Sequence, residues 1–431
     1  LSRDLTLTIV DGVKVIVPDR FDHVTPFALQ EQGDWFEDEI RFLRKAMRPG
    51  QRAVDIGANY GLYTLSVAKA VGPQGHVWAF EPAASTHAFL TRSVQANRFT
   101  QVTVERSAVS DKPGTGHLAV GAAPELNALA ETNAGGTEEV PLVTLDERMD
   151  TLGWTSIDLL KLDAEGVEHQ ILAGGCRFLT CLSPLVQVEL RTSAVHDISL
   201  VEALAKLGYS PWRVVPGLDL LVPLDLDAKP DQFLLNALCC RPDRAGDLRS
   251  HGRLLDPAEL PTPEPGDPET LYRRSREAGR SVAERLASLQ AALAGAKARA
   301  ASGAVDMTLT TLACAARDAG ERMLAVDTLT RLVHALMGGD LPGMTGNFVL
   351  PCDRYARVPC GKDRRSWALA CVVEGLENIF HFSAYYDPQP AVHRLQLLKQ
   401  MGFLGPEMSR RLQLLKRMHA QQQQQQQQQQ R

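Results

Sequence analysis

The sequence is short of several things at once, and each shortage removes a class of function. No apolar run reaches the roughly 18 residues that a membrane-spanning helix needs. The N-terminal residues lack the charged-then-apolar pattern of a secretory signal. The eight cysteines include no C-x-x-C pair. Cys239-Cys240 lies in an apolar run and reads as buried thiols, and Cys352 and Cys360 flank a loop without a clear ligand set, so no metal centre is expected. Scattered unpaired cysteines suit a reducing compartment, and the expected location is cytoplasmic. The formal net charge of −5 gives no bulk attraction to nucleic acid or anionic lipid. Neither is expected as a partner.

What is present is an alternation of strand and helix patterns. "LTLTIVDGVKVIVPD" alternates apolar and polar residues around Asp11-Gly12, which predicts a β-hairpin. "DWFEDEIRFLRKAM" places Phe36, Ile40 and Leu43 at helical spacing, and Pro49-Gly50 stops it. Then "RAVDIG", "HVWAFEP", "QVTVERSAV", "IDLLKLDAEG" and "PLVQVELR" read as strands separated by helical stretches. "LDLLVPL" and "FLLNALCC" read as closing strands. This alternation predicts an α/β fold, a parallel sheet with helices on both faces.

The pattern stops near Arg241. "DPAELPTPEPGDP" is Pro-rich and acidic and reads as an extended linker, with Asp267-Pro268 as the cap and first residue of a helix. Beyond it Leu309, Leu312, Ala313 and Ala316, then Leu329, Leu332, Val333 and Leu336, fall at helical spacing around Gly320. Two helices joined there form an αα-hairpin with a faint resemblance to helical repeats, a surface suited to a protein partner. Gln421 to Gln430 is low-complexity sequence, expected to be disordered or weakly helical. The expected division is a hairpin and helix over 1–45, the α/β domain over 46–243, the linker over 244–268, the helical domain over 269–418 and the tail over 419–431.

Chemistry concentrates at three strand ends. "VDIGANYGLYT" has a carboxylate, Asp55, ahead of Gly57 and Gly61, and it is not G-x-G-x-x-G. A carboxylate beside a pyrophosphate is unfavourable by several kcal/mol in a partly buried site. Asp55 therefore favours a cationic, phosphate-free cofactor such as S-adenosylmethionine, although it could also merely cap the following helix. Glu81 ends the next strand, where an acid accepts both hydroxyls of a ribose. The alternative for Glu81 is a solvated strand end. In "LLKLDAEGVEHQILAGG", Lys161 and Asp163 share one side of a strand, and a lysine in an apolar strand needs a carboxylate. Glu168 and His169 read as structural, Asp163 as part of the site.

These pieces in order resemble the FkbM family of S-adenosylmethionine-dependent methyltransferases. The resemblance is carried by "WFEDEIRFL", "VDIGANYGLYT", "AFEP", "SAVSD", "PLVTLDE", "LLKLDAEGVEHQILAGG" and "VQVEL", over about residues 35–190. It implies a class I methyltransferase fold, seven strands with the last antiparallel. It implies that Asp55, Gly57, Asn59 and Gly61 hold the methionyl end, that Glu81 binds the ribose, and that Ser107 and Ala108 lie near the adenine. Asp163 would sit near the methionyl group or the acceptor. The implied acceptor is a hydroxyl of a sugar, a glycan or a secondary metabolite. Asp163, Glu165 and Glu189 are the candidate bases for its proton, with His196 as a further one. An NAD-linked oxidoreductase and a non-catalytic scaffold are the competing readings.

Overall fold

The computed structural model describes residues 4–119, 121, 128–130, 137–192, 196–228, 231–302, 308–339, 348–380 and 383–429; of 128–130, 191–192, 196, 383 and 422–429 the backbone alone is described. The chain divides into two units, residues 1–214 with 219–255, and residues 215–218 with 256–431.

The first unit opens with β1 (Asp4–Thr8) and β2 (Lys14–Pro18), paired antiparallel. The turn between them needs a left-handed residue, and Gly12 supplies φ +80°. Two helices follow, Val24–Gln32, which the periodicity reading does not include, and Asp38–Ala46. The strands then run β3 (Arg52–Ile56), β4 (His76–Phe80), β5 (Val102–Glu105), β6 (Ala108–Val109), β7 (Gly114–Ala119), β8 (Ala128–Ala130), β9 (Thr137–Val143), β10 (Leu159–Leu162), β11 (Leu185–Glu189), β12 (Arg191–Thr192), β13 (His196–Asp197), β14 (Ser210–Val215), β15 (Leu220–Pro223) and β16 (Asn236–Cys240).

The central sheet has the order β15-β14-β16-β11-β10-β3-β4-β5. From β5 to β11 neighbours are parallel, and β16 runs antiparallel between β11 and β14. That is the expected class I methyltransferase arrangement, with β15 added at one edge. Alternation sorts the side chains into two cores. Ala53, Val77, Leu159, Leu185 and Leu238 pack with Val15, Val17, Phe42 and Leu65 on one face. Val54, Ile56, Leu160, Leu162 and Val186 pack with Ile171, Phe178 and Leu204 on the other.

Two expectations need correction. The run Gln101 to Val109 is not one strand. It breaks at Arg106-Ser107, and β6 leaves the central sheet to pair with β9 in a second sheet of order β6-β9-β7-β8. Residues 242–250, expected to lie largely in the linker, form a helix of the first unit, started by Pro242 at its first turn and anchored by buried Ala245 and Leu248.

The second unit is helical: Pro268–Ser275, Val282–Ala301, Thr308–Ala319, Arg322–Gly338, Arg364–Ile379, Ser383–Tyr386, Pro388–Gln400 and Pro406–Gln429. Asp267 caps the first by accepting from Thr270 N at 2.7 Å. The two helices around Gly320 pack on each other as expected. The backbone of the glutamine run continues the last helix to Gln429. Among the described residues no helix is long and apolar enough to cross a membrane.

Phe42 is fully buried in the core shared by the hairpin and the sheet. Phe42→Ala is expected to destabilise the first unit by about 3–5 kcal/mol. Denaturant unfolding followed by tryptophan fluorescence checks this, since Trp35, Trp78, Trp154 and Trp212 lie in the first unit and only Trp367 in the second.

Candidate active site

The site grows out of one face of the central sheet. Side chains two residues apart share a face, and the strand register aligns them across β3, β10, β11 and β16. The inner row is apolar, with Ala53 opposite Leu159 and Leu159 opposite Leu185. The next row sets Asp55 opposite Lys161, Lys161 opposite Gln187, and Gln187 opposite Leu238. The outermost row, at the carboxyl ends, continues with Gly57, Asp163, Glu189 and Asn236, the last two paired directly. One face thus passes from oil to polar groups within two residues along each strand.

Lys161 holds the middle. Its Nζ lies 3.0 Å from Asp163 Oδ2, 3.0 Å from the Gly57 carbonyl and 3.8 Å from Asp55 Oδ1. Burial pulls its pKa down, but Asp163 and Asp55 outweigh that and raise it. Asp55 is 3% exposed and accepts from Thr64 Oγ1 at 2.5 Å. Burial pushes its pKa up, opposed by Lys161 and Thr64. Its Oδ1 has no hydrogen-bond partner, and Asp55 lines a small cavity together with Tyr63, Thr64 and Lys161. The Asp55 carboxylate faces Lys161 and is tied to the first turn of the helix Leu62–Val71 through Thr64.

Glu81 is a buried strand end, not a solvated one, at 6% exposure. Its Oε2 accepts from Asn59 N at 2.8 Å and its Oε1 from Ala83 N at 3.0 Å. Burial pushes its pKa up to about 7. The glycine loop is thus clamped from β4 by Glu81 and from β10 by Lys161. Asn59 sits at φ +50°, and its Oδ1 is buried without a hydrogen-bond partner.

The two loop glycines have reasons beyond a ligand. Gly57 has φ +72°, and a Cβ there would stand 1.7 Å from the Asp163 carbonyl. Gly61 has φ +89°, and its Cβ would meet Leu90 Cδ1 at 2.3 Å. Both are required to seat the loop against its neighbours.

The remaining expected residues are distributed as follows. Ser107 and Ala108 are buried at the β5–β6 break, with Ser107 Oγ donating to Glu105 Oε2 at 3.3 Å. Asp163, the glycine loop, Glu81 and Ser107-Ala108 thus follow the ends of β10, β3, β4 and β5, four neighbouring strands. Asp163 and Glu189 are half-exposed at their strand ends, and Glu165 is exposed at φ +51°. Glu168 accepts from Ala164 N and Gly166 N at 3.0 Å, and His169 bonds Ser199 Oγ at 2.9 Å, both structural tasks. His196 lies in β13, and its side chain is outside the described residues. Among the described residues no group of three or more His, Cys, Asp or Glu converges as metal ligands.

Four residues that the sequence reading did not single out complete the face. Tyr63 Oη donates to Glu37 and accepts from Gln187 Nε2 at 2.9 Å. The Tyr63 ring has Lys161 Nζ 5.5 Å from its centre. Gln187 Oε1 and Asn236 Nδ2 are buried without partners. The available signal was the polar residue at the centre of the apolar run "PLVQV", which a buried strand does not otherwise tolerate.

Lys161→Met would leave Asp55 and Asp163 without their cation. A raised lysine pKa means that the ammonium's contribution is fully present at neutral pH and is lost only as pH rises through the folded value. The substitution is expected to cost about 3–5 kcal/mol at neutral pH, and part of the loss should be recovered on acidification as Asp55 takes up a proton. Melting of the full chain at neutral and mildly acidic pH checks both statements.

Residues 55–211 match the family profile of the methyltransferase FkbM domain. No curated protein matches the chain. Among solved structures, the FkbM methyltransferase of Methylobacillus flagellatus is similar at 14% identity, covering 47% of this chain and 50% of that one, with a TM-score of 0.30. A SAM-dependent methyltransferase of Aquifex aeolicus is similar at 13% identity, covering 50% and 92%, with a TM-score of 0.29. Fibrillarin of Aeropyrum pernix, solved with natively bound S-adenosyl-L-methionine, is similar at 12% identity, covering 56% and 100%, with a TM-score of 0.28. At these scores the fold assignment stands on the strand order described above.

Proposed function

We propose, from the match of residues 55–211 to the methyltransferase FkbM domain, that the chain transfers the methyl group of S-adenosylmethionine to a hydroxyl of a sugar, glycan or secondary metabolite. The observation that carries this reading is the order of groups across the four strand ends. Two carboxylates, Asp163 and Glu81, flank a glycine loop that is anchored from below by an ion pair.

The residues present fit an adenosyl cation. Glu81 spends one lone pair of each oxygen on a backbone N–H, which leaves acceptor capacity for two ribose hydroxyls. Asp55 and Asp163 set two carboxylates against the single ammonium of Lys161, so the ammonium and sulfonium of the methionyl end are favoured there and a diphosphate is not. That balance disfavours a nicotinamide dinucleotide. Asn59 Oδ1 adds an unspent acceptor in the loop. Ser107 and Ala108, following β5, would hold the adenine.

When bound, the sulfonium supplies an activated methyl group. The chain's own residues supply placement. Lys161 fixes the Gly57 carbonyl and the Asp163 carboxylate relative to each other, and Glu81 fixes Asn59. Pre-set geometry of this kind lowers the barrier of an in-line transfer by several kcal/mol. Asp163, Glu165 and Glu189 stand at or beyond strand ends from which a carboxylate can meet the acceptor's proton.

Titration calorimetry with S-adenosylhomocysteine and with NADH tests the cofactor, and incubation with methyl-labelled S-adenosylmethionine tests transfer. Binding of the first and not the second is the expected result; the reverse would overturn the reading. Glu81 adds a pH signature. With its pKa near 7 in the free protein, its ionisation destabilises the unliganded fold as pH rises from the ordinary glutamate range through that value, and ribose hydroxyls need the ionised form. Affinity for S-adenosylhomocysteine is expected to fall below about pH 7, approaching tenfold per pH unit. Glu81→Ala should weaken it by on the order of a hundredfold and flatten that dependence.

A further inference from the structure

We propose that Glu37, carried by the N-terminal segment and outside the matched domain, takes the proton of the acceptor hydroxyl; this rests on the methyl-transfer reading above. Glu37 immediately precedes the helix Asp38–Ala46, so its position looks at first like a helix cap, but its side chain makes no cap hydrogen bond. Instead it accepts from Tyr63 Oη, which in turn accepts from Gln187 Nε2 at 2.9 Å. The donors are ordered: an amide N–H has only its hydrogen to give, so the phenol's hydrogen goes to Glu37. Glu37 is thereby oriented as an acceptor beside the ends of β10 and β11.

A second observation points to a ligand at the same place. Gln187 is 1% exposed and Asn236 is 6% exposed, and each has a polar atom without a partner, Oε1 and Nδ2 respectively. Leaving a buried polar atom unmatched is costly to a fold. One acceptor and one donor held in adjacent rows suit the hydroxyls of a neutral polyol, which both donate and accept.

Three other carboxylates near the strand ends have commitments. Asp163 is joined to Lys161, Glu81 to two backbone N–H groups and Glu168 to the loop after β10. Glu165 is exposed. Glu37 is half-buried, and burial together with the charge of Asp163 pushes its pKa up, opposed by Tyr63, Trp35 and Lys161. The charged and titratable groups acting on this place are Tyr63 from the helix Leu62–Val71 and Lys161 and Asp163 at β10, with Asp55 of β3 interacting with both of these, and Glu39 and Arg44 of the helix Asp38–Ala46, which act on Tyr63; Glu189 lies on the same sheet face by register. A carboxylate with a raised pKa is a stronger base. In the step, the acceptor oxygen bonds to the methyl carbon and the carbon–sulfur bond breaks with its electron pair going to sulfur. The hydroxyl proton passes to the Glu37 carboxylate.

The test compares wild type with Glu37→Gln, Glu37→Asp and Tyr63→Phe. Calorimetry with S-adenosylhomocysteine is one readout. The other is the initial rate of labelled-methyl transfer to a panel of neutral mono- and oligosaccharides and to a total small-molecule extract, from mildly acidic to mildly alkaline pH, with S-adenosylmethionine saturating at every pH so that the Glu81-dependent affinity does not enter the profile. Glu37→Gln is expected to bind S-adenosylhomocysteine as wild type does, to lose about a hundredfold or more in rate and to lose the acid limb of the profile. Tyr63→Phe removes a hydrogen bond that favours the carboxylate, so its acid limb should move up by about one pH unit. If Glu37→Gln fails to fold, Glu37→Asp should keep the limb at a reduced rate. A Glu37→Gln rate within about threefold of wild type with the same limb overturns the assignment while the methyl-transfer reading stands. Parallel loss of S-adenosylhomocysteine binding overturns it too, because Glu37 would then act on the cofactor site. A wild type that binds no S-adenosylhomocysteine, or that labels no hydroxyl compound, overturns the underlying reading and this one with it.

Discussion

The buried ammonium of Lys161 is the interaction on which the site depends. It sits in the second row of an otherwise apolar strand face, where an unpaired charge is not tolerated. Two strands answer it, β3 with Asp55 and β10 with Asp163, and the Gly57 carbonyl supplies a third oxygen. Replacing such a group with well-packed apolar residues often stabilises a fold, so stability alone does not account for it. What the ion pair secures is position. It fixes one strand end, one loop carbonyl and one carboxylate with a single atom.

The loop gains its second anchor from the opposite side. Glu81 takes the N–H groups of Asn59 and Ala83, so the glycine segment is suspended between a cation on β10 and an anion on β4. This explains why the glycines stand where they do. Gly57 lets the loop press against the Asp163 carbonyl, close enough for Lys161 to reach both. A loop held in this way has little freedom left to lose when a ligand arrives, which is the physical content of preorganisation.

Much of this was legible in the residues themselves. The alternating strand and helix patterns gave the parallel sheet, and "KLD" gave the lysine–carboxylate pair, because burial leaves a lysine few other choices. The hidden parts share a cause: they depend on register between distant strands. Nothing local in "VVPGLDLLVPL" says that β16 inserts between β11 and β14, or that Gln187 comes to lie beside Lys161. By position alone Tyr63 is a residue of the first helical turn after the glycine loop, and Glu37 an acid at a helix start. Their hydrogen bond joins residues 26 positions apart. No glycine or proline marks the break at Arg106-Ser107, and a local pattern does not say which sheet a strand joins.

The polarity gradient along the sheet face also explains why stability and function can share the same strands. The inner residues, Ala53, Leu159 and Leu185, are buried in the core that also takes in the N-terminal hairpin and the helix Asp38–Ala46. That packing carries the segment bearing Glu37 to the carboxyl ends of β10 and β11. The outer residues are then free to be polar without weakening the core beneath them. Gln187 marks the boundary: its Nε2 serves the protein through Tyr63, while its Oε1 is unmatched. Buried polar groups are generally satisfied, and an amide satisfied on one side only is suited to a boundary between fold and ligand.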